Sequence, residues 1–295
     1  MGRTKIAWAT RTVNVVSGCS KPAAIPAAGL VILKEKAARE GVDVDIDPVR
    51  SRWLNAGSSP ECARCYAEAL STRRGWTLKP WSEQNALENI RLRPDRFGEL
   101  GIKAKPVTNP PSERERFFLC SMGDLFHESV PDEFLSQLWP HLVKNEHIHM
   151  LLTKRIDRAA AWPGPWPDHI WLGTTIGHTS TKWRAEYLRR SRAKVRFISA
   201  EPLLESIVPL NLEGIHQVIV GGESGPGYRK LEREWVLEIR EACEKAGVAF
   251  FFKQDAGARP GLRPYLEIDG EKLVFHQFPG ELTPPTIWTP EVEVV

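Results

Sequence analysis

Arg116-Phe-Phe-Leu-Cys120, His149-Met-Leu-Leu-Thr153, Ile170-Trp-Leu-Gly-Thr174, Val195-Arg-Phe-Ile-Ser199, Val218-Ile-Val220 and Val248-Ala-Phe-Phe-Phe252 follow one another as short, nearly unbroken apolar runs. Strands buried on both faces of a parallel sheet read this way, because neither face meets water. Helix-like stretches lie between them at about 132–144, 181–192 and 232–246. The first carries Phe134, Leu135, Leu138 and Leu142 at helical spacing. The last puts Trp235, Ile239 and Cys243 on one stripe and meets a natural stop at Gly247. An earlier strand over 6–16 would precede the series, giving about seven β/α units. The pattern predicts an α/β fold, a partial or full (β/α) TIM-like barrel, with a doubly wound sheet as the alternative.

Two stretches leave this rhythm. Residues 20–61 hold Pro22-Ala-Ala-Ile-Pro-Ala-Ala-Gly29, a charged helix-like piece over 33–40 and Gly57-Ser-Ser-Pro60. They read as an insertion in a single domain spanning 1–278. Around Asp269-Gly270 two alternating segments predict a β-hairpin over 264–276. Residues 279–295, with four prolines, read as a surface-hugging or disordered tail.

The chain has 295 residues and a formal charge of +3, so it carries no strong basic field of the histone kind. Apolar residues at 42% and charged residues at 26% argue against global disorder. No apolar run approaches the roughly 20 residues of a bilayer crossing, and no secretory signal opens the chain. Five cysteines are too few and too unevenly spaced for a secreted disulfide scaffold. A cytoplasmic protein is the expectation, and its thiols then need another explanation.

Cys62-Ala-Arg-Cys65 is a C-x-x-C before a helix-like run, and Cys19 follows the first strand, with 42 residues between it and the pair. Three thiolates with an open fourth position suit a [4Fe–4S] cluster. Zinc would want a second pair, which is missing. Spacing alone leaves cluster, zinc and a structural role open. Cys120 and Cys243, on a predicted strand and helix, read as small core residues.

Ser121-Met-Gly-Asp-Leu-Phe-His127, Ser199-Ala-Glu-Pro-Leu-Leu204 and Gly221-Gly-Glu-Ser-Gly-Pro-Gly227 each set polar residues just after an apolar run. These strings resemble a phage and prophage family of three-Cys-motif proteins, on the spore-photoproduct-lyase-like branch of the radical SAM superfamily. The resemblance runs from Lys5 to Gln254. It implies a barrel of the radical SAM type holding a [4Fe–4S] cluster and S-adenosylmethionine at the strands' C-terminal ends. Cys19, Cys62 and Cys65 would each ligate one iron, and the fourth iron would take the cofactor's amino and carboxylate groups. One electron would then cleave the S–C5′ bond to a 5′-deoxyadenosyl radical. A flavodoxin or ferredoxin would supply that electron. The long gap after Cys19 departs from the family, though each doubling of a loop costs only about 0.6 kcal/mol.

The resemblance assigns roles to other positions. Tyr66 would pack near the adenine, while Ser121, Met122, Gly123 and Asp124 would bind the methionine end. Gly221, Gly222 and Glu223 would contact the adenosine or substrate. Lys154 and Glu201, ending two strands, point into a barrel mouth and are candidate catalytic groups, with His127 a candidate proton donor or substrate ligand. Arg184, Arg189, Arg190, Arg192 and Lys194, interleaved with Trp183 and Tyr187, form one basic cluster; Arg91, Arg93 and Arg96 form another. Arginines beside aromatics suit nucleic acid. The phage association of the family it resembles then implies modification of a nucleic-acid base or nucleotide, in a host cytoplasm if the chain is phage-encoded, as the expected function. The rivals are a zinc-stabilised nucleic-acid-binding protein and a barrel hydrolase using Asp124, Glu201 and Glu223 as acid–base groups.

Overall fold

The structure, a computed structural model, describes residues 6–22, 31–32, 34–35, 38–39, 58–77, 79–101, 109–144 and 146–289. Its centre is a sheet of seven parallel strands: β1 (Arg11–Val13), β2 (Arg116–Leu119), β3 (Ile148–Thr153), β4 (Ile170–Thr175), β5 (Val195–Ala200), β6 (Gln217–Gly221) and β7 (Ala249–Gln254). Each strand pairs with the next in chain order, and the sheet curls into a half-barrel. An uninterrupted order of parallel neighbours is what successive β/α units give when every crossover has the same hand.

Alternation along the strands splits the apolar residues into two cores. Phe118, Met150, Trp171, Phe197, Ile219 and Phe251 meet Trp8 and Phe278 on one face. On the other, Phe117, Leu119, Leu151, Leu172, Ile198, Val220 and Phe252 pack against the helices. Those helices are α1 (Tyr66–Arg73), α2 (Asp132–Lys144), α3 (Ile156–Ala161), α4 (Arg184–Arg190) and α5 (Arg233–Ala246). Burial of each such side chain contributes roughly 1.5–3 kcal/mol, so the two-faced strands hold most of the fold's apolar stabilisation. Gly173 on β4 makes room for the inner core, since a Cβ there would come 2.4 Å from the Phe197 ring. Gly173→Ala should therefore lower stability by about 1–3 kcal/mol through overpacking. A urea midpoint equal to that of the parent would show that Phe197 can yield.

Leu266–Ile268 (β8) and Glu271–Val274 (β9) form an antiparallel hairpin about Asp269 and Gly270, both at positive φ. The expected loose tail is partly ordered: Thr286–Ile287 (β10) pairs with β9, and Trp288 packs on Tyr265 at 4.6 Å. Residues 290–295 lie outside the described residues, as does most of 20–61. Within that segment Ile32 is buried in the main core and Glu35 pairs with Arg190. No described helix is long and apolar enough to cross a membrane.

Candidate functional site

The C-terminal strand ends carry the loops that bring distant residues together. After β1 a short ribbon pairs Val16–Ser17 with Arg91–Leu92, and the Gly18 N–H then donates to the Met122 carbonyl at 2.9 Å. This sets Cys19 beside the loop that follows β2. The Ser59 N–H donates to the Pro22 carbonyl at 2.8 Å, so the chain leaves and returns at adjacent points. That contact brings together the ends of the long gap between Cys19 and Cys62.

The C-x-x-C turn is pinned from beneath by charge. Glu61, wholly buried, accepts from the Gly177 N–H at 3.0 Å and the Thr181 hydroxyl at 2.7 Å, and also from Ser59. Arg184, equally buried, lies 3.6 Å from it and donates to the Thr175 carbonyl at 2.7 Å and Ser59 Oγ at 3.0 Å. On the other side Arg229 grips Glu223 through its side chain, at 2.5 and 3.1 Å, and the Pro60 carbonyl at 3.2 Å. Burial pushes the Glu61 and Glu223 carboxyls up, but these donors more than offset it and hold both below the ordinary range.

The three thiols share one electrostatic neighbourhood. Burial pushes Cys62 up to about 12, Lys154 opposes the rise, and Cys65 and Cys19 add to it. Burial likewise raises Cys65, against donation from the Glu68 and Ala67 N–H groups at the start of α1 and against Lys154. Cys19 and Cys65 flank a small apolar cluster of Ala67, Trp81 and Met122. Cys19 Sγ accepts from Arg155 at 3.4 Å. The Lys154 ammonium makes no hydrogen bond or ion pair among the described residues, and the nearby Cys62 and Glu61 outweigh its burial and hold it above the ordinary range. Cys120 and Cys243 are buried elsewhere in the main core.

Several expected site residues turn out to be braces. Asp124, 5% exposed, accepts from Thr153 Oγ1 at 2.7 Å, the Phe126 N–H at 3.0 Å, the Lys154 N–H at 3.1 Å and Arg155 at 3.3 Å. Its oxygens are engaged by the turn it stabilises. His127 Nδ1 accepts from the Ser129 N–H at 3.0 Å, so Nε2 carries the proton and donates to Ser20 Oγ at 2.7 Å. Burial, aided by Arg155, pushes its imidazole down to about 4. Ser121 and Met122 both bond to Asn14, and Gly123 packs against Gly18. Gly222 serves a close approach, because a Cβ there would lie 2.2 Å from the Ala256 nitrogen; Gly221 likewise backs onto the Glu201 carboxylate.

Two residues keep polar groups at the mouth. Tyr66, half exposed, donates to the Ser121 carbonyl at 2.8 Å. Glu201 accepts from Ser199 at 3.2 Å and Trp8 Nε1 at 3.3 Å, and pairs with Lys253 at 3.3 Å. The 184–194 basic cluster is internally committed: Arg184 is buried, Arg189 and Arg190 pair with Glu186 and Glu35, and Lys194 pairs with Asp168 at 2.8 Å. Arg93 and Arg96 pair with Asp95 and Glu99. Glu61, Arg155, Arg229 and Lys253 escaped the sequence reading. The Glu61 position, wedged between Pro60 and Cys62, was the available signal.

His127 gives the site a pH signature. Its folded pKa lies below the unfolded value of about 6.5, so the unfolded chain takes up the proton first as pH falls. Stability should be lost between pH 6.5 and 4 by up to about 1.4 kcal/mol per unit. Urea midpoints across this window should fall in the parent and flatten in His127→Gln; parallel profiles would contradict the assignment.

A curled half-barrel of parallel strands, with thiols and cations gathered at the strands' C-terminal ends, defines an α/β barrel-type protein. The chain belongs to the DUF5131 family, described as proteins of unknown function, which matches residues 56–264. No curated protein and no solved structure matches it. These findings correct the resemblance to the three-Cys-motif branch of the radical SAM superfamily. The matching family is DUF5131, its span leaves out Cys19, and among the described residues no group of three or more His, Cys, Asp and Glu is set to hold a metal ion. The strings that suggested the resemblance contain the Asp124 brace and the close-packed Gly222, features of turn geometry that need no cluster.

Proposed function

We propose that the barrel mouth is the active site of an enzyme that binds a [4Fe–4S] cluster through Cys19, Cys62 and Cys65 and leaves one iron for S-adenosylmethionine. The carrying observation is that Cys19 and Cys65 pack on one small apolar cluster, with Cys62 buried in the same C-x-x-C turn, although 42 residues separate Cys19 from Cys62 in sequence. The donor set fits the group: three sulfurs, N–H donors on Cys19 and Cys65, and two cations to offset thiolate charge. Zinc is disfavoured because the second Cys or His pair it would want is missing from the sequence. Hydrolysis is disfavoured because Asp124 and Glu223 are already held by arginines.

Bound there with S-adenosylmethionine, the cluster supplies one-electron cleavage of the sulfonium. The chain's own residues prepare the site. Glu61 and Arg229 hold the C-x-x-C turn in place, Lys154 offers an ammonium to an anionic group, and the Ala67–Trp81–Met122 cluster keeps water from the sulfurs. For substrate we propose a nucleic-acid base or nucleotide, with a flavodoxin- or ferredoxin-like electron donor. Exposed Arg64, Arg73 and Arg74, free of ion pairs among the described residues, lie in the same stretch as exposed Tyr66 and Trp76 and support this class. Anaerobic reconstitution with iron and sulfide tests the reading. Broad visible absorption is expected in the parent and its loss in Cys65→Ala; equal spectra would overturn it.

A further inference from the structure

Two contacts set the start of α1 and the turn before it on the rim of the barrel mouth. The Tyr66 hydroxyl reaches the loop after β2, donating to the Ser121 carbonyl at 2.8 Å. The Arg64 guanidinium lies over the loop after β6, 3.4 Å from where a Cβ at Gly227 would stand. Tyr228, next along that loop, is 42% exposed, and Tyr66 and Trp76 are half exposed. Arg64, Arg73 and Arg74 are exposed in the same stretch, and their side chains make no hydrogen bond or ion pair among the described residues. Glu68 is the one acidic residue between 63 and 77, and Lys21 already neutralises it at 2.5 Å. Three positive charges therefore stand uncompensated beside three open rings. Tyr66 and Arg73 lie two turns apart on one face of α1, about 10 Å along its axis.

We infer that this rim is a docking track for single-stranded nucleic acid, with phosphates on Arg64, Arg73 and Arg74 and unpaired bases stacked on Tyr66, Trp76 and Tyr228. The inference rests on the nucleic-acid part of the proposed function and names a strand where that reading leaves a free nucleotide open. It does not depend on the cluster. Cations interleaved with exposed rings hold a single strand without regard to sequence, because every base has a π-face and arginine grips phosphate. The length of the track favours a polymer. About 10 Å from Tyr66 to Arg73 spans three stacked nucleotides at about 3.4 Å each, so a lone nucleotide would engage one end only. A duplex hides its base faces from the rings, and a formal charge of +3 gives no broad field to hold it by phosphates alone. Tyr66 directly follows Cys65, so a base stacked there sits at the C-x-x-C turn.

The test is fluorescence anisotropy of the full chain as purified, with short labelled strands of DNA and of RNA and a DNA duplex of equal length, over a series of salt concentrations. Either single strand should bind more tightly than the duplex, and the tighter of the two names the sugar. Trp76→Ala should weaken strand binding about ten-fold through the lost stack. Arg73→Gln with Arg74→Gln should make the salt dependence shallower by about 1.4 in logarithmic slope, about 0.7 for each phosphate contact removed. All three side chains are exposed, so these variants keep the fold, and equal far-ultraviolet circular dichroism checks it. Duplex bound as tightly as the single strands, or an affinity and slope unchanged in both variants, overturns the inference. A nucleoside monophosphate that binds by calorimetry where no strand does also overturns it, and leaves the nucleotide substrate class standing. If neither binds, both fall together.

Discussion

Asp124→Ala should cost the protein about 3–5 kcal/mol, the usual effect of stripping one partner from a buried ion pair. Asp124 accepts four hydrogen bonds and lies against an Arg155 that is itself buried. Removing it leaves that guanidinium to Glu128, which is mostly in water, and frees the Thr153 hydroxyl and two backbone N–H groups. Domains of this kind are stable by only about 5–15 kcal/mol, so a large part of the total would go. Burial raises the Asp124 carboxyl, Arg155 and the hydrogen bonds lower it, and the net is a depressed pKa. Its contribution is thus complete at neutral pH and is lost as acid protonates it. Chemical denaturation at pH 7 should show the loss in Asp124→Ala, with a smaller one in Asp124→Asn. A midpoint close to the parent's would return Asp124 to the role of an open ligand group.

Glu61→Ala should have a comparable effect on stability, about 3–5 kcal/mol, and a larger one on the thiols. Glu61 and Arg184 are both fully buried, and Glu61 ties the residue before Cys62 to the loop after β4. In the intact site Cys62 is enclosed and its thiol is pushed up to about 12, so it should scarcely react with iodoacetamide at pH 8. Without the Glu61 anchor the turn is released, and Cys62 should alkylate many-fold faster, read by mass spectrometry of the native protein. Cys243, buried in the main core far along the chain, serves as the unreactive reference. A Cys62 rate unchanged by the substitution would show that burial of the turn does not depend on this pair.

The strands were legible in sequence because parallel strands covered on both faces must be apolar almost throughout. Phe117–Leu119, Ile170–Leu172 and Phe250–Phe252 are buried without interruption. Helix α2 was legible from four apolar residues on one stripe, whereas α3, six residues with two charges and three alanines, offered no such stripe. In the site, the C-x-x-C pair stood out by its spacing alone. The braces did not, since a buried charge and a solvated one are written with the same letters. Arg184 was read as part of an exposed basic cluster, yet it has no exposed surface at all. Asp124 took its ligand role from the resemblance and His127 was a candidate proton donor or substrate ligand; their partners Arg155, Thr153 and Ser20, distant in sequence, tie both into the turn in a way the sequence did not show. Neither the 42-residue separation of Cys19 from Cys62 nor any local motif announced the Ser59–Pro22 contact that closes it.

Metal and sulfide analysis of the protein purified without oxygen tests the central proposal most directly. Iron and acid-labile sulfide should each approach about four per chain, and both should be lost in Cys62→Ala and Cys65→Ala. Stoichiometric zinc, or iron content that survives those substitutions, would contradict a cluster held by Cys19, Cys62 and Cys65.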